Sequence, residues 1–222
     1  MSKIAVAVLN RKGGVGKTTI AVILAQIALL KHNKVLAIDL DSSGNFSDAL
    51  GFMKKYFQDS LRVKKDLEDS DAEAPEELIV IDCPPNLEAG SKHAIDFADI
   101  VVVPVRPDFF SLSNLGVLYS TAAKLGKAEA QLPLVKLGYD NSSMSKVSEE
   151  IILDRGYPVA ESLPMHRRIP YNITTGSAWS TGLVAQSRKP YNDLYEKIIK
   201  AVEKLKNGTL DASEVWAVKR GE

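Results

Sequence analysis

Short runs of apolar, β-branched residues alternate with longer segments of helical periodicity along most of this chain. Strand-like runs occupy residues 4–9, 34–39, 78–82, 100–105, 134–137 and 158–163. Helical patterns fill residues 20–30 and 87–97. Others run from Ser111 or Ser113, either able to cap a start, to near Leu125, from Ser145 to near Arg155, and over 191–205. The strand-like runs are apolar throughout rather than alternating. That is the pattern of strands buried on both faces, in a sheet covered by helices on both sides. The predicted fold is therefore α/β, a doubly wound, mostly parallel sheet. Pro104 falls near the end of its run, where a missing N–H is tolerated. Gly156 stops one helix and Asn207-Gly208 the last. Residues 54–77 are charged and contain no strong apolar run, so they are predicted as a shortened, partly helical surface connection. The pattern gives one domain, residues 1–206, and a C-terminal tail, 207–222, with no internal repeat.

Composition narrows the partners more than the fold. Lys and Arg (28) balance Asp and Glu (28), so no global basic field draws in nucleic acid, and any such contact needs a local patch. A single cysteine, Cys83, excludes an intramolecular disulfide, suits a reducing compartment, and reads as a small buried hydrophobe. Met1-Ser2-Lys3 runs straight into the first strand without a leader-like segment, which points to the cytoplasm. The longest apolar run, after Thr19, includes Gln26 and stops at Lys31, too short to span a bilayer. His32, His93 and His166 lack metal-ligand spacing, and Trp179 and Trp216 read as core or interface groups.

The first strand runs into Asn10-Arg11-Lys12-Gly13-Gly14-Val15-Gly16-Lys17-Thr18-Thr19, and a helical pattern follows at once. Strand, glycine-rich turn, Lys-Thr and helix make a cradle for nucleotide phosphates. A glycine-rich turn can contain Lys-Thr by chance, but this one sits between a strand and a helix. Glycines let backbone N–H groups wrap an anion, and the helix adds the positive end of its dipole. Candidate ATP-binding residues are Lys12, Gly13, Gly14, Val15, Gly16, Lys17, Thr18 and Thr19. Lys17 would reach the terminal phosphates and the Thr18 hydroxyl would ligate Mg²⁺. Two strands end in aspartate, Asp39 (with Asp41 just beyond) and Asp82, and a doubly wound sheet delivers both ends to the edge that carries the loop. Asp82, after four branched apolar residues, fits the carboxylate that holds the Mg²⁺ water shell.

The common phosphate loop has a glycine five positions before Gly16, where this chain has Arg11, followed by a second lysine, Lys12. Lys-Gly-Gly-x-Gly-Lys-Thr resembles the deviant Walker A box of the ParA/MinD superfamily of ATPases. Asp39-Leu40-Asp41-Ser42-Ser43-Gly44-Asn45 is similar to that family's Asp-x-Asp-Pro-Gln-Gly-Asn, with Ser42-Ser43 where Pro-Gln is usual. Ile81-Asp82-Cys83-Pro84-Pro85 is similar to its Ile-Asp-x-Pro-Pro, and residues 98–107 to its Ala-Asp-x-Val-x-x-Pro-Val-x-Pro. Leu163-Pro164, then Arg167, Arg168 and Gly176, resembles a later ParA segment that often carries basic residues. The short connection after Gly51 is like that of compact plasmid ParF-type proteins.

The resemblance implies a P-loop NTPase using ATP and Mg²⁺. Lys12 would reach across a homodimer to the partner's nucleotide, Asp39 would help order the Mg²⁺ shell, and Asp41 would position the attacking water. Lys12, Lys17 and Asp41 are thus the candidate catalytic residues, with Thr18, Asp39 and Asp82 at the metal. The implied dimer binds DNA without sequence preference, with Arg167, Arg168, Arg188 and Lys189 as candidate contacts, and a ParB-like or other adaptor stimulates hydrolysis. The protein would be cytoplasmic and nucleoid-associated in its ATP state, positioning a plasmid, chromosome or other cargo. A MinD-like membrane-associated ATPase is the alternative, but the C-terminal stretch has one Trp and little apolar surface, so no stable membrane association is expected. Metal-cluster carriers of related fold need cluster cysteines that one Cys does not supply.

Overall fold

The β-branched runs fold as strands because a residue flanked by helices on both sides of a sheet must be apolar whichever way its side chain points. In this computed structural model, residues 3–164 and 188–217 are described. Their strands are β1 Ile4–Val8, β2 Val35–Asp39, β3 Leu61–Lys64, β4 Leu78–Asp82, β5 Ile100–Val105, β6 Leu134–Leu137 and β7 Val159–Leu163. Their helices are α1 Lys17–Leu30, α2 Asn45–Lys54, α3 Ala89–Phe97, α4 Phe109–Ser113, α5 Leu115–Lys124, α6 Ser143–Asp154, α7 Arg188–Lys206 and α8 Ala212–Val215. The strands form one sheet in the order β3-β2-β4-β1-β5-β6-β7, every pairing parallel.

All residues of β1, β2, β4 and β5 are buried, and their side chains alternate between two cores. Val6, Val8, Val80 and Val102 join α1, α2 and α7 on one face. Ala7, Leu9, Ile81 and Val103 join α3 and α5 on the other. The chain leaves β1 toward β2 and β3, then returns across β1 to β5 and runs outward to β7. This reversal opens a crevice at the carboxyl ends of the central strands.

Several elements differ from the sequence expectation. Residues 54–77 contain an edge strand, β3, and a 3₁₀ turn at Asp69–Glu73 rather than only a surface connection. The charge in β3 is real but locally answered: Arg62 pairs with Glu76 at 2.7 Å, and Lys64 with Asp71 at 2.9 Å. Charged edge strands resist pairing with other chains. Helix α2 follows Gly44, which has φ 70° and supplies a left-handed turn where the sequence shows only a polar stretch. The helix expected from Ser111 or Ser113 is two helices, and Asp108 rather than a serine caps the first. Ser142, not Ser145, caps α6, and α7 begins at Arg188, three residues before the expected start. Arg167, Arg168, Gly176 and Trp179 lie outside the described residues.

The segment after α7 packs back onto the body. Val215 and Trp216 join the core of the α1 face, and the Trp216 indole Nε1–H donates to the Ala130 carbonyl at 2.7 Å. Ala217 and Val159 exchange two backbone hydrogen bonds in an antiparallel bridge at the β7 edge. Trp216 is 2% exposed and Tyr56 75%. Trp216→Ala should therefore lower the unfolding free energy by about 3–5 kcal/mol, the usual cost of deleting a buried aromatic. Tyr56→Ala should stay within about 0.5 kcal/mol. Urea unfolding followed by circular dichroism checks both.

Candidate nucleotide site

The loop between β1 and α1 is anchored at its base by a side chain that the motif does not single out. Asn10 is 1% exposed; its Nδ2 donates to the Pro104 carbonyl on β5 at 2.7 Å, and its Oδ1 accepts from the Lys12 N–H at 2.9 Å. The chain then turns through Gly14 (φ 73°) and Gly16 (φ 97°) into α1. At Gly16 the positive φ is the firm requirement. A Cβ there would also meet the Leu137 methyl at 2.5 Å. Gly16 is the N-cap of α1 and so offers no side chain, and the first turn holds no acid. The leading N–H groups and the dipole of a 14-residue helix are thus left for an anion. A Cβ at Gly13 would meet no atom of the described residues within 4 Å, so there is room above the loop among them.

Lys17 and Thr18 open α1, and both act on Asp82, Lys17 by charge and Thr18 by a hydrogen bond. Lys17 is 7% exposed and its Nζ donates to the Lys12 carbonyl at 3.2 Å. Burial lowers its pKa from the usual lysine value, and Asp82 and Asp41 oppose that shift by attraction. The Thr18 hydroxyl donates to Asp82 Oδ2 at 2.6 Å. Asp82 lies opposite Val8 on β1 and Asp39 on β2, so backbone register alone sets both carboxylates beside the loop. Burial pushes the Asp82 carboxyl up to about 7; Asp39 adds repulsion, while the Thr18 bond and Lys17 counter it.

Among the described residues, Asp82 Oδ1 is buried with no hydrogen-bond partner, and Ser47 Oγ shares that condition. An orphaned carboxylate oxygen beside a threonine hydroxyl is a donor set that fits a hard cation such as Mg²⁺. Among the described residues no group of three His, Cys, Asp or Glu side chains forms a metal cage. Thr18 and Asp82 would therefore need phosphate oxygens and water to complete an octahedral shell, as Mg²⁺ sites commonly do.

Asp39 is engaged differently from the expected metal role. Its Oδ1 accepts from the Asp41 N–H at 3.2 Å and its Oδ2 from the Ser47 N–H at 2.8 Å. It thus stands in for the side-chain cap that Gly44 lacks at the start of α2. Asp41, half-buried, accepts from the Ser43 N–H at 3.0 Å, and its carbonyl accepts from Gly44 N–H at 3.0 Å. These bonds form the tight turn without the usual Pro-Gln.

Lys12 lies at the rim. Its ammonium contacts Asp108 Oδ1 at 2.5 Å and lies 5.9 Å from the centre of the Phe110 ring. Arg11 Nη1 reaches Asn114 Oδ1 at 3.4 Å. Asn10, Asp108 and Asn114 were missed by sequence reading. An Asp three residues before Ser111, just past a strand, was the available capping signal for Asp108.

The remaining candidates disperse. Arg188 opens α7, and Lys189 is exposed, with Nζ 3.0 Å from Asp193. Further along α7, Lys197 pairs with Glu161 at 2.7 Å and Lys204 with Glu214, so much of that helix's charge is answered within the chain. Cys83 is fully buried and burial drives its thiol pKa far upward, consistent with an inert packing role.

A family model described as an AAA domain matches residues 2–74. The Caulobacter vibrioides chromosome partitioning protein ParA is 27% identical over 228 residues, spanning 79% of this chain and 84% of its own. Maintenance of carboxysome distribution protein A from Gloeobacter kilaueensis is 31% identical over 165 residues, 71% of this chain and 74% of its own. Among solved structures, a Borrelia burgdorferi putative plasmid partition protein bound to AMPPNP superposes with a TM-score of 0.72 at 20% identity, covering 90% of this chain and 99% of that one. The Pyrococcus horikoshii septum site-determining protein MinD, complexed with Mg-ADP, gives 0.68 at 17% identity, covering 93% and 99%. The parallel sheet, the phosphate loop with its second lysine and these relatives together place the protein: the chain belongs to the ParA/MinD superfamily of P-loop ATPases, whose members use nucleotide and Mg²⁺.

Proposed function

We propose that this protein is a ParA-type positioning ATPase. ATP joins two subunits face to face, the pair binds duplex DNA without sequence preference, and hydrolysis, stimulated by a ParB-like or other adaptor, releases it. The observation that carries this reading is Lys12. Lys17 already occupies the own-site position beneath the loop, 7% exposed, whereas Lys12 stands at the rim with its side chain 30% exposed. A second cation on a loop that needs only one favours a role toward another molecule, and two equivalent contacts about a two-fold axis close a dimer. Phe110, 68% exposed beside Lys12, its neighbour Phe109, 65% exposed, and Met144 and Val147, 53% and 51% exposed on α6, supply apolar surface of the kind an interface covers.

In this reading Lys17 holds the terminal phosphates and Thr18 and Asp82 would hold the Mg²⁺ shell, while Asp39, both of whose oxygens accept backbone N–H groups, lends negative charge beside it. Mg²⁺ would neutralise charge on the phosphate oxygens. Asp41 orients the attacking water in line with the leaving oxygen. The MinD-like alternative is disfavoured by Trp216, the aromatic of the C-terminal stretch, which is buried and hydrogen-bonded rather than available to a lipid surface. Among the described residues no helix is long and apolar enough to cross a membrane.

Lys17→Ala and Gly16→Val should abolish ATP binding without unfolding the chain. The first removes a charge-assisted contact, and the second forces a branched residue to φ 97°. Calorimetric titration checks both, and an unchanged affinity in Lys17→Ala would contradict the phosphate-loop assignment. Lys12→Ala should keep monomer ATP binding but lose the ATP-dependent dimer, whereas Asp41→Ala should accumulate as a dimer with little turnover. Light scattering beside phosphate release separates the two; a normal ATP dimer in Lys12→Ala would sink the dimer reading.

The Asp41→Ala dimer should pellet with duplex DNA of any sequence, and the affinity should fall steeply with salt because phosphate contacts release counterions. Replacing Arg167 and Arg168 by Ala should weaken that binding while ATPase activity persists. A dimer that ignores DNA at low salt but pellets with anionic vesicles would favour the MinD-like alternative.

A further inference from the structure

The contact between Lys12 and Asp108 is built more rigidly on the acid's side than on the lysine's. Asp108 Oδ1 accepts from the Ser111 N–H at 2.9 Å and its Oδ2 from the Ser111 hydroxyl at 2.9 Å. Ser111 is fully buried at the start of α4, so the carboxylate is fixed to its helix and remains hydrogen-bonded whether or not Lys12 is present. The Lys12 backbone is also fixed, its N–H to Asn10 and its carbonyl to Lys17. Only the Lys12 side chain is free to change partner, and both members of the pair are 30% exposed, so water can replace either.

We propose that Asp108 is a positioning residue for Lys12: it holds the ammonium on its own subunit, and the ATP-joined pair forms only as that ammonium leaves Asp108. The proposal rests on the reading of Lys12 given above and adds what competes for it. The exposure sets the size of the effect. A buried pair would trap the lysine, but a part-exposed pair shifts an equilibrium by up to about fivefold. Each dimer releases two such contacts, so the dimer dissociation constant changes by up to about 25-fold. The Asp108 carboxylate keeps its two Ser111 bonds after release, so no buried acceptor is orphaned.

The test uses the full chain with a non-hydrolysable ATP analogue and the variants Asp108→Asn, Asp108→Glu and Lys12→Ala. Asn keeps the helix cap and the shape but removes the charge. Asp108→Asn is expected to tighten the dimer by up to about 25-fold while leaving the monomer's nucleotide affinity within about twofold. The gap between wild type and Asp108→Asn should shrink at ~0.5 M salt, where a part-exposed ion pair is screened. Asp108→Glu, which restores the charge, should return toward wild type. A purely structural role for Asp108 would move the melting temperature but not the salt-dependent gap. Sedimentation velocity gives the dimer constants and thermal melting the fold.

An unchanged or weakened dimer in Asp108→Asn, with Lys12→Ala still unable to dimerise, overturns the role given to Asp108 and leaves the reading of Lys12 standing. A normal dimer in Lys12→Ala overturns that reading, and the Asp108 proposal with it.

Discussion

The parallel pairing of β4 with β1 on one side and β2 on the other is the constraint on which this site depends. Val8, Asp82 and Asp39 stand side by side across three adjacent strands, so the end of the loop-bearing strand and two carboxylates arrive at one level by backbone register. No side-chain search is needed to bring them together. The apolar character of the strands then follows, since a sheet that carries polar groups only at its carboxyl ends must bury everything before them. The crossover from β2 through β3 to β4 makes the same demand, and it explains why a charged edge strand can lie beside a wholly buried one.

Burial at that edge gives the polar groups their character. Asp82 is almost wholly desolvated and is pushed up to about 7, while Lys17, also buried, is pulled below its usual value. Each is the other's partial remedy; the Thr18 hydroxyl donates to Asp82, and Lys17 donates to the Lys12 carbonyl. A carboxylate oxygen without a partner and a helix start without a side-chain cap are costs in a protein that binds nothing. Both would be relieved by a nucleotide accompanied by a divalent cation, the ligands its family uses. The two deficits lie on the same crevice and call for opposite charges, which is the electrostatic signature of a metal–phosphate ligand.

What the sequence made legible was whatever rests on periodicity or on a contiguous motif. The central strands are largely apolar and so stood out, and Lys12, the glycines, Lys17 and Thr18 fall within one contiguous motif, residues 12–18. β3 did not stand out: four residues with two charges carry no apolar run, and their pairing with β2 is a tertiary fact. α2 was hidden because its start depends on a left-handed glycine and on Asp39, which reaches from the preceding strand to cap it. Asp108 was hidden for the same reason, being 96 residues from Lys12 in the chain. The resemblance gave Asp39 the Mg²⁺ shell and Asp41 the attacking water. In the hydrogen-bond pattern Asp39 is tied to a helix start and Asp41 to its own turn.

The bridge between Val159 and Ala217 bears on how copies of this chain can meet. β7 would otherwise present bare backbone at one margin of a seven-stranded sheet, and β3 guards the opposite margin with Arg62 and Lys64. A returning segment on one side and paired charges on the other discourage association by strand addition. Among the described residues, Phe109 and Phe110 stay exposed near the phosphate loop, away from both margins. The molecule is thereby protected from the indiscriminate, ligand-blind stacking that sheet margins invite.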